Sequence, residues 1–374
     1  PSPDGPPAAG PASAVSELQR PPMGFNSWNY YHCNIDERTV MAVVDAMQAN
    51  GLRAAGYEYV NVDDCWQAGR SPNGTITPDP SRFPSGMKAV ADYAHERGMR
   101  FGVYTAAGSR TCQGRSGAYA HEAADAQTYC GWGVDYLKID SCGGSQWPQR
   151  NESWVRFQRA LRACEAATGR QTVMSVEYCG DAACGQWIGQ VANTWRTTGD
   201  IQATWSSVMS NILANNAMAR FASPGHFNDP DMLQVGNVGL TQTEQQSHFG
   251  LWCIAGAPLL IGTDVLRASN ATLGLLRNRE AIAVNQDLGP AGVPGAVQGT
   301  LLGSGAESDG APNATAVQVW CKRLASGGRA YLLLNPASEP QPAAVSFPEG
   351  ETRDVWAQRS LGRRGSYAAI LPAH

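Results

Sequence analysis

Tyr136-Leu137-Lys138-Ile139-Asp140-Ser141-Cys142 is the stretch on which the reading of this 374-residue chain turns. With period 2 it places Tyr136, Lys138 and Asp140 on one face of a strand and Leu137 and Ile139 on the other. An ordinary buried strand carries no unpaired charge, because burying one is costly. A structural ion pair at a strand end and a catalytic carboxylate are the two readings open here. Other segments of the chain end in the same way, and that favours the second.

Strand and helix signals alternate outward from this segment. Strand patterns are expected at 23–28, 57–62 (closing in Asp63-Asp64), 100–106, 136–142, 172–178, 194–198, 226–233 and 258–261. Helical spacing lies between them at 40–50, 85–97, 118–129, 154–167, 183–191, 206–219 and 243–255, with Asn34 and Glu37 as a capping box for the first. Eight repeats over about 260 residues fit a (β/α)8 TIM barrel in the α/β class. A doubly wound sheet is the alternative, but no G-x-G-x-x-G follows the first strand. From residue 285 Gly and Pro cluster, and short alternating runs at 316–321, 330–334, 343–347 and 354–357 suggest a small antiparallel β-sandwich. The expected division is a loose Pro/Ala-rich leader at 1–22, a barrel at 23–284 and a β domain at 285–374.

Composition narrows the setting. Charged residues make up 16% against about 25% in average domains. The net charge of −4 and the lack of a basic run argue against a nucleic-acid partner. The longest apolar run, 249–262, is too short to span a membrane and contains Pro258, so it reads as a buried helix followed by a strand. Ten cysteines without a C-x-x-C pair favour disulfides over a metal site. Sequons at Asn73, Asn151, Asn270 and Asn313 point toward a glycoprotein of the secretory pathway.

A barrel of this kind works at the carboxyl ends of its strands. Those ends hold Trp28, Asp63, Asp64, Tyr104, Lys138, Asp140, Glu177, Tyr178, Arg196, Asp200, Asp229 and Asp231. Carboxylates accept from hydroxyls, cations donate, and an indole stacks on the apolar face of a sugar ring, so a neutral carbohydrate is the expected ligand. Asp63-Asp64 could cap a helix, but adjacent acids after an apolar strand repel and favour hydroxyl binding. Five histidines, His32, His95, His121, His226 and His248, lack metal-ligand spacing and a Ser or Cys partner.

The segments Gly24-Phe25-Asn26-Ser27-Trp28, Tyr59-Val60-Asn61-Val62-Asp63-Asp64-Cys65-Trp66, Tyr136 to Cys142, Arg196-Thr197-Thr198-Gly199-Asp200 and Asn228-Asp229-Pro230-Asp231-Met232-Leu233 resemble the α-galactosidases of glycoside hydrolase family 27. The resemblance implies a retaining, exo-acting α-galactosidase with no cofactor and no metal, acting on terminal α-linked galactose. It implies Asp140 as nucleophile and Asp200 as acid/base. Around the sugar it implies Trp28, Asp63, Asp64, Tyr104, Lys138, Glu177, Arg196 and Asp231, with Cys112, Tyr178 and Met232 shaping the pocket. Lys138 should lower the pKa of Asp140, and crowded carboxylates should raise that of Asp200. The resemblance also suggests the disulfides Cys33–Cys65 and Cys112–Cys142. Cys179–Cys184 is a plausible short loop, Cys130–Cys164 would join helices adjacent in the order of elements with the pairing left open, and Cys253 and Cys321, in apolar runs, are expected free. Three competing activities stand beside this one. An α-N-acetylgalactosaminidase would need small residues where Glu177 and Tyr178 stand. The Asp63-Asp64 pair speaks against a β-L-arabinopyranosidase, and the two candidate catalytic acids speak against an inactive sugar-binding homologue.

Overall fold

The computed structural model describes residues 18–144, 149–302 and 316–374. Asn313 lies outside them. Eight parallel strands form one sheet: Met23–Asn26, Tyr59–Val62, Arg100–Ala106, Tyr136–Asp140, Val173–Val176, Thr194–Arg196, Phe227–Asp229 and Leu259–Ile261. The first strand pairs with both the second and the eighth, and pairing runs consecutively from second to seventh. The seam between seventh and eighth is closed beyond Asp229. Leu233 donates its N–H to Leu260 O at 2.8 Å and accepts from Gly262 N at 3.0 Å.

The alternation in each strand decides which side chains meet. Val60, Val62, Phe101, Val103, Leu137, Ile139, Val176 and Trp195 join the large apolar core between sheet and helices. Tyr59, Tyr136, Val173, Met232 and Leu260 form a separate small cluster inside the barrel. The run 249–262 divides as expected into the buried helix Gln242–Ile254 and the eighth strand. The strand after the leader does not start from a free tail: Pro21 and Pro22 are buried, Leu18 packs on the interior cluster, and Gln286 Nε2 donates to Pro21 O at 3.0 Å.

Several boundaries differ from the sequence reading for local reasons. Asp36, rather than Asn34, caps the helix Glu37–Ala49, its carboxylate accepting from Thr39 N at 2.7 Å. Glu37 instead accepts from Ser85 N. Residues 355–357 are a turn rather than a strand, because Asp354 Oδ1 accepts from the backbone of both Trp356 and Ala357. The C-terminal part comprises Thr300–Leu302, Gln318–Arg323 and Arg329–Leu334 in one antiparallel sheet, and Gln341–Asp354 with Arg359–Leu371 in another. Tyr331 stacks on Phe347 between them at 5.5 Å.

Lys322 joins this β part to the barrel. Its fully buried ammonium donates to Val284 O at 2.8 Å and Asn285 O at 3.2 Å, in the last turn of the helix Arg279–Gln286. Cationic donors are favoured at a helix C-terminus, but burial dominates and lowers the pKa from 10.5 to about 8. Between those values the unfolded chain holds a proton that the folded chain has released, so stability contributed here rises with pH. Urea unfolding of wild type and Lys322→Met should therefore show the wild type gaining on the variant by roughly 3 kcal/mol from pH 7.5 to 10.5. A difference independent of pH would contradict this placement of the amine.

Candidate active site

The strand ends bring the sequence-derived residues to one mouth. Lys138 lies on the inner face of the fourth strand and reaches Asp63 Oδ2 at 3.0 Å and Glu177 Oε1 at 3.4 Å. Asn26 Nδ2 donates to the same Asp63 oxygen at 2.9 Å. Burial alone would discharge Lys138, but Asp63 and Glu177 outweigh it and hold the ammonium charged. Asp64 is fixed by backbone donors, Cys65 N at 2.7 Å and Gln113 N at 3.0 Å. Burial still raises its pKa against those bonds.

Asp140 accepts from Tyr104 O–H at 2.9 Å on Oδ2 and from Ser141 N at 2.5 Å on Oδ1. Burial, then Asp140 itself, push the Tyr104 phenol far up, so it stays a donor. Here the electrostatic expectation is corrected. Lys138 does not hold Asp140 at a low pKa, because its contacts are with Asp63 and Glu177. Burial and the Glu177 charge push Asp140 up to about 7 against the weaker pull of Lys138.

Arg196 is the second cation. Its buried guanidinium donates to Glu177 Oε1 at 2.8 Å, lies 3.2 Å from Asp231 Oδ2 and donates to Asp200 Oδ1 at 3.1 Å. Asp200 is also unlike the expectation. Its side chain is 73% exposed and touches a guanidinium rather than crowded acids. Asp231 has φ +84, a strained conformation for a non-glycine residue, and is braced on every side. Ile201 N and Met232 N donate to its carboxylate, while its own N–H donates to Asp229 Oδ1 at 2.8 Å.

Trp28 is half-buried and meets His32 edge-on at 5.2 Å. Met232 is buried in the interior cluster. Tyr178 has φ +62, is 54% exposed and stands 5.9 Å from the Arg150 guanidinium. Cys112 Sγ lies 3.2 Å from Asp140 Oδ2. Among the described residues four disulfides are present: Cys33–Cys65, Cys112–Cys142, Cys130–Cys164 and Cys179–Cys184. Cys253 and Cys321 are free.

Two contributors, Asn26 and Gln113, escape a reading of the sequence. Asn26 sits inside one of the resembling segments, yet its role needs the neighbouring strand to be seen. Gln113 acts through its backbone, which no side-chain pattern reveals. Asp229, at a strand end as the sequence places it, is buried, accepts from Asp231 N and so supports that residue, and is pushed up to about 7 chiefly by burial.

Residues 20–287 match the family described as alpha galactosidase A, and residues 314–374 match the alpha galactosidase C-terminal beta sandwich domain. The chain belongs to glycoside hydrolase family 27. It is a glycoside hydrolase. An α-galactosidase of Coffea arabica is 40% identical over 358 residues, covering 95% of this chain and 91% of that one. One from Cyamopsis tetragonoloba is 40% identical over 368 residues, covering 95% and 84%. The crystal structure of α-galactosidase I from Mortierella vinacea superposes with a TM-score of 0.86 at 29% identity, covering 97% of this chain and 96% of that one.

The acid limb of kcat/KM reports ionisation in the free enzyme. Glu177→Gln removes a charge that raises the Asp140 pKa and Lys138→Met one that lowers it. The limb should move to lower pH in the first variant and to higher pH in the second, whatever each loses in rate. Shifts of the same sign in both would contradict the electrostatic arrangement.

Proposed function

We propose that this family 27 hydrolase is a retaining, exo-acting α-galactosidase that removes terminal α-linked D-galactose from oligosaccharides, polysaccharides or glycoconjugates by double displacement. The observation that carries the reading is the contrast between its two candidate acids. Asp140 is enclosed and oriented by Tyr104 and Ser141, whereas Asp200 reaches into solvent from the far side of Arg196. The first suits a nucleophile fixed under the ring, and the second suits a group exchanging protons with a leaving group and with water.

In the first step Asp140 attacks the anomeric carbon while Asp200 protonates the departing oxygen. Protonated Asp200 gives up its ion pair, yet Arg196 keeps Glu177 and Asp231 and is not left as an uncompensated buried charge. Asp200 then takes a proton from water, which attacks the glycosyl-enzyme from the face the leaving group vacated. Asp63, Asp64 and Asp231 accept from galactose hydroxyls, Lys138 and Arg196 donate, and Trp28 covers the apolar face. Glu177 and Tyr178 fill the side on which an acetamido group would have to fit, favouring a free 2-hydroxyl. A Saccharomyces cerevisiae α-galactosidase of this fold, 29% identical, is known in a structure with raffinose, consistent with galactosyl oligosaccharides as a substrate class.

The disulfides suit an oxidising compartment, and we assign the chain to the secretory pathway. Among the described residues no helix is long and apolar enough to cross a membrane. Asn73 and Asn270 are exposed and sterically open to glycosylation, while Asn151 is buried within the helix Gln149–Thr168.

Hydrolysis of p-nitrophenyl α-galactoside should exceed that of the α-N-acetylgalactosaminide and the β-L-arabinopyranoside at least tenfold. Asp140→Gly should abolish turnover, and azide should restore release of p-nitrophenol with β-galactosyl azide as product. Preference for the N-acetyl sugar would overturn the specificity, and an α-galactosyl azide would overturn the nucleophile.

A further inference from the structure

The amino ends of the strands border a second hollow, on the face of the barrel away from Asp140 and Asp200. Its volume is about 640 Å³, and small-molecule sites span roughly 300–1,000 Å³. Met23, Tyr59 and Val173, the first residues of the first, second and fifth strands, give it buried apolar surface. Ile282 of the helix Arg279–Gln286 adds to that surface from the side.

Charge is unevenly distributed around this hollow. Arg20, Arg100 and Arg279 line it against a single carboxylate, Glu58. That carboxylate is also shared, lying 3.6 Å from Arg100 Nε and 3.4 Å from Arg53 Nη1, which does not line the hollow. Arg20 and Arg279 are exposed, and neither has an ion pair or hydrogen bond among the described residues. A chain of net charge −4 thus gathers a local excess of cations here.

Tyr59 supplies the inner polar group. It is only 4% exposed, Arg100 Nη1 donates to its hydroxyl oxygen at 3.0 Å, and no acceptor for its own hydrogen lies among the described residues. Burial raises its pKa, so the hydrogen stays in place. A buried phenol normally finds a partner for that donor. A bare oxyanion would leave the apolar surface uncovered, and a neutral apolar molecule would leave the hydroxyl and the guanidinium groups unmet. An anion carried on an apolar body answers both.

We propose that this hollow is a binding site for an organic anion, a carboxylate or sulfonate on an apolar body, separate from the sugar site at the mouth of the barrel. The anionic group accepts from Tyr59 O–H and Arg100, with Arg20 and Arg279 adding attraction at the rim, and the body lies on Met23, Val173 and Ile282. None of this depends on the reading of Asp140 and Asp200.

The probe is 8-anilinonaphthalene-1-sulfonate, whose fluorescence rises when it leaves water. With the full chain it should give a saturable rise at one equivalent per chain, displaced by decanoate but not by decanol, acetate or galactose at the same concentration. Arg20→Glu and Arg279→Glu reverse charges that no neighbour uses, and the second puts an acid in the first turn of a helix, where one is favoured. Each should weaken the dye at least fivefold, and so should Tyr59→Phe, which removes only the hydroxyl. Arg38→Glu, the same reversal at an exposed arginine outside the hollow, should leave affinity unchanged. No saturable rise, an affinity indifferent to both rim reversals, or displacement by decanol as effective as by decanoate would overturn the anion site. Displacement by galactose would move the dye to the mouth and overturn it equally.

Discussion

One buried guanidinium ties the mouth of the barrel together. Arg196 leaves the sixth strand and meets Glu177 from the fifth, Asp231 from the loop after the seventh, and Asp200 from its own loop. Segments that adjacent strands bring to one rim are tied together there by a planar donor whose fork can serve several acceptors at once. An ammonium at this position would be a compact point charge without that fixed geometry. Lys138 repeats the device on the opposite side, with Asp63 and Glu177. Glu177 belongs to both groups and so couples the two halves of the pocket.

This arrangement is costly in isolation. Buried ion pairs seldom stabilise a fold, since desolvation consumes most of the attraction. It persists because the apolar core lies outside the sheet, between strands and helices, where it does not compete with the polar interior. The outer faces of the strands carry the large apolar core, and the inner faces carry a small apolar cluster together with the charged groups. At the rim, Asp231 with its positive φ is held by backbone donors.

The fold was legible because the strand alternation keeps these two duties apart. Tyr136, Lys138 and Asp140 fall on one face and Leu137 and Ile139 on the other, and each is where period 2 places it. What period 2 cannot convey is which neighbour a side chain reaches. Lys138 and Asp140 share a face, yet the ammonium pairs across to Asp63 and Glu177, so the expected depression of the Asp140 pKa gives way to a rise. The same holds for Asp200: belonging to a mouth rich in acids does not translate into contact with them, because Arg196 stands between. Contributions made through backbone, such as Gln113 N on Asp64, leave no trace in residue type. The cap at Asp36 and the turn at Asp354 escape pattern reading because several acceptors compete within two residues, and only the path of the chain selects one.

The central claim is that Asp140 forms a covalent bond to the sugar. A 5-fluoro-galactosyl fluoride slows breakdown of such an intermediate more than its formation is slowed, so that it accumulates. Incubation followed by proteolysis and mass spectrometry should place one fluorogalactosyl group on the peptide containing Asp140. Label on another carboxylate, or complete turnover of the reagent through a path leaving Asp140 unmodified while Asp140→Asn retains full activity, would contradict the account.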